Sequence, residues 1–338
     1  MTDLYPAIEP YERGMLDAGD GHHVYWEQSG NPAGHPILLL HGGPGSGWNE
    51  GIRRTFDPRA YRIILFDQRN CGRSTPHAGE PHVDLSTNTT AHLLADIERL
   101  RRLVGVERWA LFGGSWGATL ALAYAERDPA RVSGIVLVAV TTTRKSEIDW
   151  LYGGARRFFP EAWERFRHGV PASERDGDLV AAYHRLLMDP DPSVHTQAAR
   201  DWFEWEWSLV SVDPEMRPNP RQLEPRNQLA FARIVTHYFG NLAWLEDGQL
   251  LRDAGRLRGI PGILVHGRFD MGGPPTTAWE LANAWPDAEL HIVAGAGHSA
   301  RDPGMNEAVL AATDDLVRRV QSSPARADAG PHQARRIP

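Results

Sequence analysis

The sequence predicts an α/β protein with a mostly parallel central sheet, helices on both faces, and a helical cap inserted into the sheet's chain path. Two observations carry this reading. Short apolar bursts of strand type alternate with helical periodicity through the first 140 residues, as βαβ units do. The bursts then stop over residues 141–253 and resume beyond them.

Taken in order, residues 23–28 alternate as a short strand, and residues 36–40 (PILLL) and 61–67 (YRIILFD) are bursts of the kind buried parallel strands show. Leu93, Leu94, Ile97, Leu100 and Leu103 recur at helical spacing. Strands are expected at 109–112 and 135–140, with a helix at 118–126 between them. The segment 141–253 carries helical stretches at 179–188, 194–209 and 227–239, joined by Pro- and Asp-rich connections. Strands return at 262–266 and 289–293, and an amphipathic helix covers 306–320. The expected organisation is a first core part (1–140), a helical cap (141–253) following the sixth strand, a second core part (254–321), and a tail (322–338) too poor in apolar residues to order itself.

Composition narrows the function. Lys plus Arg is 36 against 43 for Asp plus Glu, a net charge of −7, so no basic face is expected for nucleic acid. The single cysteine, Cys71, excludes an intramolecular disulfide framework and reads as a small buried apolar group. Residues 1–20 lack the basic and apolar regions of a signal peptide, and no apolar run approaches a membrane span. A cytoplasmic protein is expected. No metal motif is present, and His22-His23 reads as a surface pair.

Gly113-Gly114-Ser115-Trp116-Gly117 matches G-x-S-x-G between an expected strand and an expected helix. That strand-to-helix turn is sharp, needs small residues around the serine, and lifts its hydroxyl above the sheet. This elbow defines the α/β-hydrolase fold, whose partners follow in the order Ser, acid, His. Residues 262–266 lead into Asp270, and 289–293 lead into His298; both lie where open α/β sheets place their sites. The plainer reading makes Asp270 a turn cap and His298 one of fifteen histidines. Strand-end placement and chain order favour a triad: Ser115 as nucleophile, His298 as base, Asp270 orienting it. Gly43, in the glycine-rich turn after PILLL, and Trp116 offer N–H groups for an oxyanion hole, with Gly42 in reserve.

In series, HGGPG (41–45), DQRNCGRS (67–74), GGSWG (113–117), VHGRFD (265–270) and GAGHS (295–299) resemble the prolyl iminopeptidase family of α/β-hydrolases. The similarity runs from about Tyr11 to Val320. It implies a cytoplasmic, cofactor-free exopeptidase that releases an N-terminal proline from small-molecule or short-peptide substrates. Trp202-Phe203-Glu204-Trp205-Glu206 resembles the family's W-x-x-W-E segment, which makes Glu206 the residue for the substrate's free amine. Glu204, on the same helix, is the candidate to stand in for a second amine-binding carboxylate, and Trp205 is part of the same substrate-binding segment. The plainer reading of Glu206 is one charge on an amphipathic helix.

Departures are also visible. Val235 stands where the family commonly has a second glutamate, Thr141 where it has an aromatic, and Val138 where it has an arginine. The triad carries over whole, whereas one carboxylate and one ring face of the proline site do not. An esterase, lactonase or amidase on the same triad stays open, as does a non-catalytic relative that binds a small ligand.

Overall fold

The computed structural model describes residues 4–322. The expected tail, apart from its first residue, lies outside them. Strands β1 (Glu12–Gly19), β2 (His22–Gly30), β3 (His35–Leu40), β4 (Tyr61–Phe66), β5 (Trp109–Gly114), β6 (Val132–Val138), β7 (Gly262–Gly267) and β8 (Ala288–Val293) form one sheet in the order β1-β2-β4-β3-β5-β6-β7-β8. From β4 to β8 all pairs are parallel; β2 pairs antiparallel with β1 and β4. Chain order reverses at β3, which lies between β4 and β5. A crevice opens beyond the carboxyl ends of strands at such a switch point. Here β3 delivers the 41–45 turn to it and β5 delivers Ser115.

Strand β1 has no counterpart in the sequence reading. Its burial alternates weakly, with only Leu16 and Ala18 buried, because it is an antiparallel edge strand covered on one side. Strand β8 is likewise only half covered. In the central strands successive residues enter opposite layers. Leu38, Leu40 and Leu111 pack into one core, and Ile37, Leu39 and Phe112 into the other. Helices α1 (Thr90–Leu103), α2 (Trp116–Arg127) and α9 (Thr276–Ala284) cover the first face, and α10 (Met305–Ser322) the second. His22 is buried, its Nε2 2.9 Å from Thr87 Oγ1, so the expectation of a surface pair fails for it; His23 is exposed. Among the described residues no helix is long and apolar enough to cross a membrane.

Between β6 and β7 the chain forms α3 (Lys145–Asp149), a π-helical turn (Trp150–Gly154), α4 (Pro160–His168), α5 (Leu179–Leu187), α6 (Pro192–Ser208), α7 (Pro225–Phe239) and α8 (Gln249–Asp253). Most of these share a hydrophobic core of their own, built around Phe166, Tyr183, Trp202 and Trp205. Phe166 stacks on Tyr183 at 4.5 Å. Leu250 of α8 packs instead in the main core. Helix α7 belongs to both: Ala230, Ile234 and Tyr238, one turn apart, face the α/β core, and Ala232 and Val235 face the cap core. Buried Arg233 clamps it to the loop below by donating to the carbonyls of Ala78, Glu80 and Val83. The cap therefore has a fixed seat over the sheet's carboxyl edge.

Candidate active site

Ser115 sits between β5 and α2 with φ 54° and ψ −124°, a conformation that non-glycine residues rarely adopt. The surrounding glycines are required by space. A Cβ on Gly113 would lie 2.3 Å from the Gly117 carbonyl oxygen, and one on Gly117 would lie 2.1 Å from that of Leu40. At Gly114, the variable position between Gly113 and the serine, a Cβ would meet only Val138 O at 3.9 Å, so packing does not require a glycine there. The Ser115 N–H donates to Val138 O at 2.9 Å, which ties the strained residue to β6. Val138 thus supports the elbow from below, with its side chain in the core beneath the sheet.

The loops after β7 and β8 bring Asp270 and His298 together. His298 Nδ1 lies 2.9 Å from both Asp270 carboxylate oxygens. Asp270 is 2% exposed, and Gly273 N–H donates to its Oδ1 at 2.7 Å. With Nδ1–H directed at a carboxylate, Nε2 is left as the acceptor. Burial alone would lower the His298 pKa, but the charge and hydrogen bond of Asp270 outweigh it, helped by Glu206 and Asp302, and the net direction is upward. His266 lies beneath this pair: its Nδ1 accepts from Val140 N–H, and its Nε2–H donates to Gly273 O. Both nitrogens are committed, and burial holds this imidazole neutral. A Cβ on Gly272 would sit 2.9 Å from His298 Nδ1, so that glycine gives the ring its place.

Gly43 and Trp116 line the same cavity as Ser115 and His298. Gly43 has φ 110°, and a Cβ there would come within 2.7 Å of Gly45 N. The turn is fastened to the elbow through Gln68, to which the sequence reading gave no role. Trp116 Nε1–H donates to Gln68 Oε1, Gln68 Nε2–H donates to His41 O, and Gln68 N–H donates to His41 Nε2. His41 Nδ1–H then donates to Gly42 O at 2.9 Å. Cys71, fully buried, donates to Gln68 O, and burial pushes its thiol pKa well up.

The cap supplies Glu206. Tyr152 O–H donates to its Oε1 at 2.5 Å, and Trp202 Nε1–H donates to the same oxygen at 2.9 Å. Burial pushes the carboxyl up to about 7 against the opposing pull of these two donors and of His298. Trp202 stands one helical turn before Glu206, a spacing readable from sequence. Tyr152 carries no such signal, because the π-helical turn brings it in.

Two expected substrate residues need correction. Glu204 is exposed on the far side of α6, beside Arg165 and Asp201, and does not face the cavity. Trp205 is 1% exposed, packs against Trp163 and Phe166, and donates to Leu151 O; it is cap core. Val235 is fully buried in that core and does not line the cavity. Thr141 does line it, held by Thr119 through its carbonyl, and Phe239 provides a ring face that the sequence reading did not assign. Glu147 adds a second carboxylate to the lining, but its oxygens already accept from Thr142, Arg144 and Thr277. The cavity is thus apolar along Ile148, Leu151, Leu209 and Phe239, with Glu206 and Glu147 as its acid groups. Among the described residues no cluster of His, Cys, Asp and Glu is arranged to hold a metal ion.

A serine on an elbow at the switch point of a largely parallel sheet defines the α/β hydrolases, and a family model described as alpha/beta hydrolase fold matches residues 35–302. Over 319 residues the chain is 51% identical to a probable proline iminopeptidase of Streptomyces coelicolor, covering 93% of this chain and 98% of that protein. It is 47% identical over 319 residues to a proline iminopeptidase of Xylella fastidiosa, covering 94% and 100%. The chain belongs to the proline iminopeptidase family of α/β hydrolases, as its motif series implied. The crystal structure of proline iminopeptidase from Mycobacterium smegmatis shares the fold with a TM-score of 0.58 at 20% identity, over 91% of this chain and 98% of that one.

Proposed function

We propose that this serine hydrolase releases N-terminal proline from short peptides and amides through an acyl-enzyme. Ser115 Oγ attacks the prolyl carbonyl as His298 Nε2 takes its proton, with the imidazole held by Asp270. The N–H groups of Gly43 and Trp116 receive the oxyanion, a contribution of roughly 3–4 kcal/mol for each such donor. His298 then protonates the departing amine, and water attacks the ester by the reverse route. The observation that carries the substrate reading is Glu206, a carboxylate anchored by Tyr152 and Trp202 in the same cavity as Ser115 and His298. Taking an amine cation out of water favours a site with a fixed, partly dry counter-charge. The small apolar lining suits one ring rather than an extended chain. No step calls on a cofactor, and a cytoplasmic setting fits a chain with one buried cysteine.

A second reading, an esterase or amidase of other acyl preference, draws on Thr141, which places a small polar side chain where the family has a ring. Hydrolysis of proline-β-naphthylamide beside p-nitrophenyl acetate and butyrate, with Ser115→Ala as control, decides between them. Ser115-dependent release from the proline amide is expected. Ester cleavage with no amide cleavage would overturn the peptidase reading.

A further inference from the structure

A larger, more open cavity adjoins the one just described. The two share Val210 and are divided by consecutive residues: Gly43 and His298 line the first, Gly42 and Ser299 the second. A chain continuing past the scissile bond would leave one and enter the other.

The two cavities have opposite charge. The first is lined by Glu206 and Glu147 and by no lysine or arginine. The second is lined by Arg221 and Arg301 and by no aspartate or glutamate, although the chain as a whole carries −7. Neither arginine has a carboxylate partner among the described residues. Arg301 donates to Arg217 O at 2.9 Å, and Arg221 reaches Trp48 O at 3.4 Å. Burial holds down the pKa of His41 and His77, which also line this cavity, and the charge of Arg221 adds a smaller push in the same direction. Along its lining, Phe203 and Trp207 of α6, the helix that also bears Glu206, stack at 6.2 Å and 16°.

From this polarity we infer that the second cavity binds the free C-terminal α-carboxylate of a short peptide, through Arg221 and Arg301. The preferred substrates are then zwitterionic oligopeptides, fixed at the amine by Glu206 and at the carboxylate by the arginine pair. Guanidinium groups match carboxylate geometry and form strong charge-assisted hydrogen bonds. The inference rests on the peptidase reading above.

The test is kcat/KM for proline-led di-, tri- and tetrapeptides, each as the free acid and as the C-terminal amide. Proline-β-naphthylamide, measured on every variant, normalises for folded enzyme. The free acid is expected to exceed its amide by roughly tenfold or more at the length that spans both sites. Arg221→Ala and Arg301→Ala should bring that ratio towards one, chiefly through KM, with Arg221→Lys retaining part of it. Equal rates for acid and amide at every length, with the naphthylamide still cleaved, would overturn this inference and leave the peptidase reading standing. No cleavage of any proline substrate would overturn both.

Discussion

On the sheet side of the cavity the reacting groups are placed by backbone, whereas on the cap side Glu206 is placed by other side chains. Ser115 is held by a strained elbow whose Gly113 and Gly117 admit no Cβ, and Gly43 by a turn fastened through Gln68. Glu206 instead receives Tyr152 and Trp202 from within an aromatic cluster, with Tyr152 and Trp202 rings 4.7 Å apart. Backbone geometry fixes reacting atoms finely and tolerates little change. An aromatic cluster can be repacked at modest cost, so substrate preference can vary over an unchanged triad.

The largest expected effect breaks the sheet side. Ser115→Ala should lower kcat/KM on proline substrates by roughly 10⁴-fold or more and abolish labelling by a fluorophosphonate probe. Residual activity within tenfold of the parent would remove Ser115 from the mechanism. On the cap side, Glu206→Gln should raise KM for proline-β-naphthylamide by roughly 10- to 100-fold while changing p-nitrophenyl acetate cleavage by about twofold at most. Equal losses on both substrates would mean that Glu206 serves the chemistry and not the amine.

The same pair of groups sets the pH profile. His298, with its pKa raised, must lose its proton to act as base, and Glu206 must be ionised, which occurs above about 7. The value of kcat/KM should therefore climb as pH rises through 7. In Glu206→Gln only the His298 limb remains, and it moves to lower pH because the neighbouring negative charge is gone. An unmoved limb would show that the two residues do not feel each other.

Glu126 tests the sheet side for stability. Both its carboxylate oxygens are buried without a hydrogen-bond partner, and burial pushes it up to about 8 from the usual 4.5. The folded state keeps a proton that the unfolded chain releases, so stability falls as pH rises between those values. Glu126→Gln should gain stability on the parent as pH rises from 5 to 8, by at most about 1.4 kcal/mol per pH unit, as read by denaturant unfolding. A gap independent of pH would refute the linkage. The smallest effect expected is that of Glu204→Gln, which should leave KM for proline-β-naphthylamide within about twofold, since the residue faces solvent. A Glu206-sized rise there would restore it to the site.

The buried strands were legible because a parallel strand covered on both faces reads as an unbroken apolar run. The polar edge strand β1 was not, since one covered face leaves too weak an alternation. Glu204 and Glu206 show a signal that was present and unused: residues two apart on a helix point about 200° apart, so both cannot face one cavity. Gln68 had no signal in sequence, because its partners lie in other elements, and Glu147, although bonded locally to Thr142 and Arg144, gave no sign that it lines the cavity.

By itself the sequence determined the α/β class, the elbow at Ser115 and the chain order of acid and histidine, because local spacing dictates strands, turns and what stands at their ends. Only the tertiary structure decided that Glu204 faces away from the cavity, that Tyr152 anchors Glu206, and that a chamber lined by arginines adjoins one lined by glutamates. Those depend on contacts across more than fifty residues of chain, such as Tyr152 with Glu206, where |i−j| is 54, and packing of the folded cap brings such groups together.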